Sequence, residues 1–286
     1  HQLELDLEFG YWIANAIKDF KQGDNSVELL AVHGHTVLHD PKAGISWQLG
    51  RGDIIANETR ITTVSDFRSQ DIQLGGQGAP LVPFGDFRLF NSYDTCLNLG
   101  GIANISLQQN QSAWDVCPCN QVLNYFANQL GLPYDENGDL AKQGKWNQSL
   151  YDEIIQLKYF QDAPPKSLPN QFIPIDILEK SDPLDGLFTY SKIIAQLIGS
   201  SIPESGSGQM LITGGGAFND FLTHEIEKSL DDWKITIPDA TLINFKESLI
   251  FAFLATKKVR AEINVLGSVT GARSDSSSGV IHLPND

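Results

Sequence analysis

The sequence predicts an α/β protein built on a mixed sheet. Three observations carry that expectation. Short apolar runs of strand length alternate with segments whose apolar residues recur at helical spacing, three of those runs empty into glycine-dense turns, and 286 residues suffice for two compact lobes around separate cores. A junction between two lobes is also where ligand clefts commonly lie.

Taken in order, Trp12, Ile13, Ala16, Ile17 and Phe20 make Tyr11 to Phe20 an amphipathic helix. A buried strand follows at Val27 to Val32 and ends in His33-Gly34-His35-Thr36. Further strands are expected at Ile61 to Val64, Thr95 to Leu99, Ile102 to Leu107 and Met210 to Thr213. Helices are expected near Val122 to Leu130, Tyr151 to Leu157, Phe188 to Ile198 and Phe218 to Leu230. Proline, glycine and serine gather into loops at Asp162 to Ser167, Ser201 to Gly208 and Ser274 to Gly279. A loop at Pro80 to Ser92 is the expected hand-over between lobes, giving residues 1–92 and 93–286, with the last helix a candidate to return to the first lobe.

The formal charge of −15 comes without a basic cluster beyond Lys257-Lys258-Val259-Arg260, which disfavours nucleic acid and anionic membrane surfaces as partners. Cys96, Cys117 and Cys119 cannot build a disulfide framework, so a reducing cytoplasm is the default. Cys-Pro-Cys has no second pair at zinc spacing and reads as packing. No apolar run approaches a membrane span. The chain opens at His1 and its single methionine is Met210, which suggests a fragment or a processed product.

The chemistry-bearing residues cluster at the glycine turns. Leu97-Asn98-Leu99-Gly100-Gly101-Ile102-Ala103-Asn104 reverses between two apolar strands, either as a plain hairpin or as a backbone concavity for phosphate. Asp66, Arg68 and Asp71 precede Gly75-Gly76-Gln77-Gly78 and form either an ion-pair network or a fork for a polar ligand. Leu211 to Asn219 is a strand emptying into Gly214-Gly215-Gly216 and a helix start. Asp115 ends a strand before a helix that Asn120 would cap, and is either a general base or a cap acid. His33, His35 and His39 favour a strand and turn in which Thr36 and one imidazole bond a polar ligand, over a metal site. Lys166-Ser167 carries a cation at the tip of a rigid loop, either as a solvated linker or reaching a ligand in the cleft, and Glu247 begins an apolar helix, either as favourable charge–dipole placement or as a ligand contact.

This ordered set, from His33-Gly34-His35-Thr36 through Asp66-Phe67-Arg68 to Pro83, Asn98 to Asn104, Asp115 with Pro118 and Asn120, Pro165-Lys166-Ser167, Gly214 to Asn219, and Val269-Thr270-Gly271-Ala272, resembles the anhydro-N-acetylmuramic acid kinases. The resemblance spans essentially the whole chain, and Leu74 to Pro83 is its most specific block. It implies the two-lobed actin-like ATPase (ribonuclease H-like) fold with an interlobe cleft, ATP and Mg²⁺ as cofactors, a small amino sugar as substrate, a cytoplasmic setting and a homodimer. The implied reaction opens the 1,6-anhydro ring with water and phosphorylates the freed 6-oxygen, giving N-acetylmuramic acid 6-phosphate in cell-wall recycling. The resemblance makes Asp115 the base on water, places Gly100, Gly101, Asn104 and Gly214 to Gly216 around the nucleotide, and makes Thr36, Arg68, Asn120 and Glu247 candidates for the sugar pocket.

Two departures stand out. The Ser-Gly-Thr-Ser-x-Asp-Gly phosphate loop that opens family members is not in this sequence, and truncation is the expected reason. Cys117 and Cys119 replace glycines, and His35 replaces a glutamine. A noncatalytic carbohydrate-binding relative is the alternative reading.

Overall fold

The computed structural model describes residues 2–24, 26–164, 166–168, 172–202 and 207–285. Its strands are β1 (Leu29–Ala31), β2 (His35–Asp40), β3 (Ile45–Leu49), β4 (Thr62–Ser65), β5 (Thr95–Leu99), β6 (Ile102–Leu107), β7 (Ser112–Pro118), β8 (Gly208–Thr213), β9 (Trp233–Thr236) and β10 (Val280–His282). The α/β class holds. The chain divides into two compact units, His1–Leu89 with Glu247–Asp286, and Phe90–Lys246.

In the first unit β4 lies between β1, to which it is parallel, and β10, to which it is antiparallel. A separate hairpin pairs β2 with β3 and carries a register shift between Thr36 and Leu38. The helix Gln2–Lys21 packs on the helix Gly52–Thr59 around Ala14, Val32 and Ile55. It starts well before Tyr11. Leu3, Leu5 and Leu7 alternate at period two, which hides the helix in the sequence, and the buried Asp6 carboxylate accepts from Gly50 N–H at 2.8 Å, a tertiary tether that no periodicity shows. The expected loop from Pro80 to Ser92 is largely the helix Val82–Leu89; Pro83 reads as a breaker but sits in the first turn, where its missing N–H is harmless.

The second unit is a five-stranded sheet in the order β7-β6-β5-β8-β9, with β7, β6 and β5 antiparallel and β8 and β9 parallel to β5. The helices Asn120–Gln129 and Pro183–Ser201 pack together and share a core with Leu97, Ile105, Phe126, Tyr190, Ile193 and Ile212, all essentially inaccessible. Truncating any of these large side chains to alanine carries a cost of about 2–5 kcal/mol. Cys117 and Cys119 are part of that core, and burial pushes the Cys119 thiol up to about 12, as expected of packing residues.

The helix Ala240–Val259 corrects one expectation: Glu247 lies inside it rather than at its start. Asp239 caps this helix, accepting from Leu242 N–H at 2.9 Å. Charge–dipole placement at an N-terminus therefore does not explain Glu247. Of the expected loops, Pro165 and Pro203 to Gly206 lie outside the described residues. Among the described residues no helix is long and apolar enough to cross a membrane.

Candidate active site

Strand register builds the centre of the second unit. Thr213 of β8 pairs with Asn98 of β5, Asn98 with Asn104 of β6, and Asn104 with Asp115 of β7, so four polar residues form one row across adjacent strands. Directly paired residues present their side chains on the same face. The row depends on a bulge. Ile102 pairs with Pro118 and Ala103 with Cys117, which would set Val116 against Asn104; the register then shifts, and Asp115 takes that place. One extra residue exchanges a valine for a carboxylate on the face that carries the two asparagines.

Asp115 is held by the segment 166–168 and by Tyr159. Its backbone N–H donates to Lys166 O at 3.0 Å, while Leu168 N–H and Ser167 Oγ donate to Asp115 Oδ2 at 2.8 and 3.1 Å. Tyr159 Oη donates to the Asp115 carbonyl at 2.6 Å. Burial raises the carboxyl above its ordinary value, and the donors from Leu168 and Ser167 oppose that shift without cancelling it. The Lys166 cation is neither a solvated tip nor a ligand probe: Nζ folds back to donate to the carbonyls of Tyr159 and Asp162 at 2.8 and 2.9 Å and lies 4.6 Å from the Tyr159 ring centroid.

The glycine turns separate into those the fold needs and those it leaves open. Gly214 has φ +83°, and a Cβ there would lie 2.8 Å from the Leu99 carbonyl carbon, so this position is closed to other residues by packing alone. Gly215 is exposed, and its nearest neighbour would be Asn120 Nδ2 at 3.8 Å. A cavity of about 580 Å³ opens at Gly215 and Gly216 and is lined also by Asn120, Asn124, Tyr134 and Phe218. That volume suits a ligand of nucleoside size. Asn120 does not cap its helix as expected; Cys119 occupies the cap position, and Asn120 Nδ2 donates to Leu99 O at 2.9 Å, tying the end of β5 to the helix start at the rim of the cavity. The Gly100-Gly101 turn is tied to the same helix, with Cys119 N–H donating to Gly101 O at 2.8 Å and Asn120 N–H to Gly100 O at 3.1 Å.

In the first unit, of the two readings of Asp66, Arg68 and Asp71, the ion-pair network does not form among the described residues. Asp66 Oδ1 accepts from Ser69 Oγ at 2.7 Å, and Asp71 accepts from Thr270 Oγ1 at 2.7 Å and Gly78 N–H at 2.8 Å. Asp66 is thus committed to Ser69 in its own turn, and the buried Asp71 is satisfied by a hydroxyl and a backbone N–H rather than by a cation. Arg68 instead donates through Nη1 to Gly78 O at 2.6 Å and through Nη2 to His33 Nε2 at 3.0 Å. Arginine has no acceptor, so His33 is the neutral Nδ1–H tautomer. Burial, reinforced by the Arg68 charge, takes the His33 pKa down to about 3. Its ring stacks on Phe251 with centroids 4.1 Å apart. Burial lowers the Arg68 pKa and the Glu247 charge works against that shift, so Glu247 is an electrostatic neighbour of the guanidinium. Thr36 lies half-buried on β2 opposite Gln48. His35 and His39 are exposed, and His39 Nδ1 lies 2.9 Å from Ser46 Oγ. Among the described residues no three His, Cys, Asp or Glu side chains gather as a metal site.

The family model for anhydro-N-acetylmuramic acid kinase matches residues 2–284. This chain belongs to that family. The kinase relatives include the anhydro-N-acetylmuramic acid kinase of Sulfurimonas denitrificans, 32% identical with 98% of this chain and 83% of that protein aligned, and that of Zymomonas mobilis, 33% identical over 93% of this chain and 77% of that protein. The relative from Crocosphaera subtropica is 34% identical, with coverage of 98% and 82%. Among solved structures, the activator of 2-hydroxyisocaproyl-CoA dehydratase from Clostridium difficile aligns with 69% of this chain and 68% of its own at TM-score 0.40 and 13% identity.

For this kinase family member the structure brings Asn104 and Asp115 into one row and Asn120, Gly215 and Gly216 to one cavity. Sequence reasoning did not assign a site role to His33 specifically, to Leu168 or to the Gly78 carbonyl. The Pro165-Lys166-Ser167 motif was the available signal for the segment that holds Asp115, while the His33 contact with Arg68 spans 35 residues and leaves no local trace.

Proposed function

We propose that this chain carries out the ATP-dependent opening and phosphorylation of 1,6-anhydro-N-acetylmuramic acid, giving N-acetylmuramic acid 6-phosphate and ADP. The observation that supports the reading best is Asp115: a bulge turns it onto the polar row, backbone and hydroxyl donors occupy Oδ2, and burial keeps it basic enough to accept a proton. In the proposed step Asp115 takes a proton from water as the water oxygen bonds to the anomeric carbon. The bond from that carbon to the 6-oxygen breaks, and its electron pair stays on the 6-oxygen, which bonds to the γ-phosphorus as the bond to ADP breaks. Proximity and fixed dipoles supply most of the acceleration, as in phosphoryl transfer generally.

The cavity at Gly215 and Gly216 fits the nucleoside part of ATP, with Phe218 and Tyr134 as aromatic walls and Asn120 at the rim. Gly100, Gly101 and Asn104 are assigned to the phosphate side. Arg68, fixed by Gly78 and His33, is assigned to the sugar with Thr36 and Glu247. No cluster of described residues fits a divalent ion by itself, so Mg²⁺ would enter with the oxygens of the nucleotide phosphates and neutralise their charge. A cytoplasmic setting and a homodimer belong to this reading. Its test is Asp115→Asn: sugar binding persists and turnover collapses, because an amide cannot take the water proton. Near-normal turnover removes Asp115 from the mechanism.

A further inference from the structure

We infer that the segment Lys166-Ser167-Leu168 is a positioning device for the carboxylate of Asp115, committing Oδ2 to two donors and leaving Oδ1 as the oxygen that takes the proton. The inference rests on the reading of Asp115 as the base and goes beyond it by naming the working atom and the residues that set it. β7 is an edge strand of its sheet, and the segment pairs with it through Asp115 N–H and Lys166 O. Backbone pairing therefore fixes the main chain of Asp115 while Leu168 N–H and Ser167 Oγ fix its side chain at the same time. Two donors on one oxygen stop rotation of the carboxylate about its last bond, which a single contact would allow. Among the described residues nothing donates to Oδ1.

The segment has its own latch. Tyr159 Oη holds the Asp115 carbonyl, and Lys166 Nζ holds the carbonyls of Tyr159 and Asp162 while resting on the Tyr159 ring. The helix Lys158–Gln161, the segment 166–168 and β7 thus close on one another around Asp115. Among the described residues the titratable groups that interact with its charge are Tyr159 and the buried Cys117, while the Lys166 ammonium is turned away onto the Tyr159 and Asp162 carbonyls. Ser167 is itself exposed, so its hydroxyl contributes little to folding and its contact is free to serve orientation.

The test uses Ser167→Ala and Ser167→Thr beside Asp115→Asn, with ADP release followed against pH. Ser167→Ala should lower kcat about tenfold, the usual size of losing one hydrogen bond to a charged acceptor, and leave KM for the sugar unchanged. It should also move the acid limb of the kcat profile to higher pH, because the lost donor had favoured the ionised carboxylate. Ser167→Thr keeps a hydroxyl and should restore both. A merely structural role would shift thermal stability and leave the pH profile in place, and that result overturns the inference. Loss of turnover in Asp115→Asn with an unchanged Ser167→Ala refutes the positioning role alone, whereas near-normal turnover in Asp115→Asn refutes the base itself.

Discussion

His33→Gln should make the protein less sensitive to acid. The imidazole is buried against Phe251, accepts from Arg68, and titrates at about 3 in the folded chain against 6.5 when exposed to water. As pH falls below 6.5, the unfolded chain takes up a proton at this residue and the folded chain does not, so stability is lost progressively between about pH 6.5 and 3 and is unaffected above that window. At pH 5 the gap is about 1.5 units below the unfolded value, and at about 1.4 kcal/mol per unit this one residue removes about 2 kcal/mol. Burial is the larger cause and Arg68 the smaller, so most of the effect survives if Arg68 moves. Glutamine keeps an acceptor for Arg68 and has nothing to protonate. Urea midpoints at pH 7.5 and pH 5 for both proteins measure the difference, provided the m-values match. His39 and His282, whose pKa values burial also lowers, give both proteins a common residual slope. An equal pH-dependent loss in the two proteins would refute the reasoning, whatever the absolute stability of the variant.

Two further outcomes follow from the site geometry. Arg68→Ala should raise KM for the sugar with KM for ATP unchanged; steady-state titration of each substrate checks this, and the opposite pattern would move Arg68 to the nucleotide side. Gly214→Ala should cost about 1–3 kcal/mol from its left-handed backbone and its approach to Leu99, read as a lower thermal midpoint, whereas Gly215→Ala should leave that midpoint nearly unchanged and weaken binding of a fluorescent ATP analogue.

Much of the second unit was legible in the sequence because local rules agree there. Leu97, Leu99, Ala103 and Ile105 alternate or run apolar around a two-glycine turn, and the hairpin forms where that pattern puts it. The row through Asp115 was not legible, because the bulge opposite Asn104 is a matter of register between strands and changes no residue's propensity. The start of the helix at Ala240 was signalled by Pro238-Asp239, a turn residue followed by a capping acid, yet its apolar residues surround the axis and blur the period from which its beginning is read. Around Arg68 the sequence showed charges close together and suggested pairing among them. Instead Asp66 bonds Ser69 within its own turn, while tertiary structure supplies the Thr270 hydroxyl to Asp71 and a distant imidazole to Arg68.

The measurement that tests Asp115 as the base most directly is a coupled ADP-release assay with ATP, Mg²⁺ and 1,6-anhydro-N-acetylmuramic acid, run on this chain beside its Asp115→Asn variant. Sugar-dependent ADP release that collapses in the variant, with sugar binding retained, is the predicted result. Sugar binding without ADP release in the unsubstituted chain, or release that Asp115→Asn leaves intact, would contradict it.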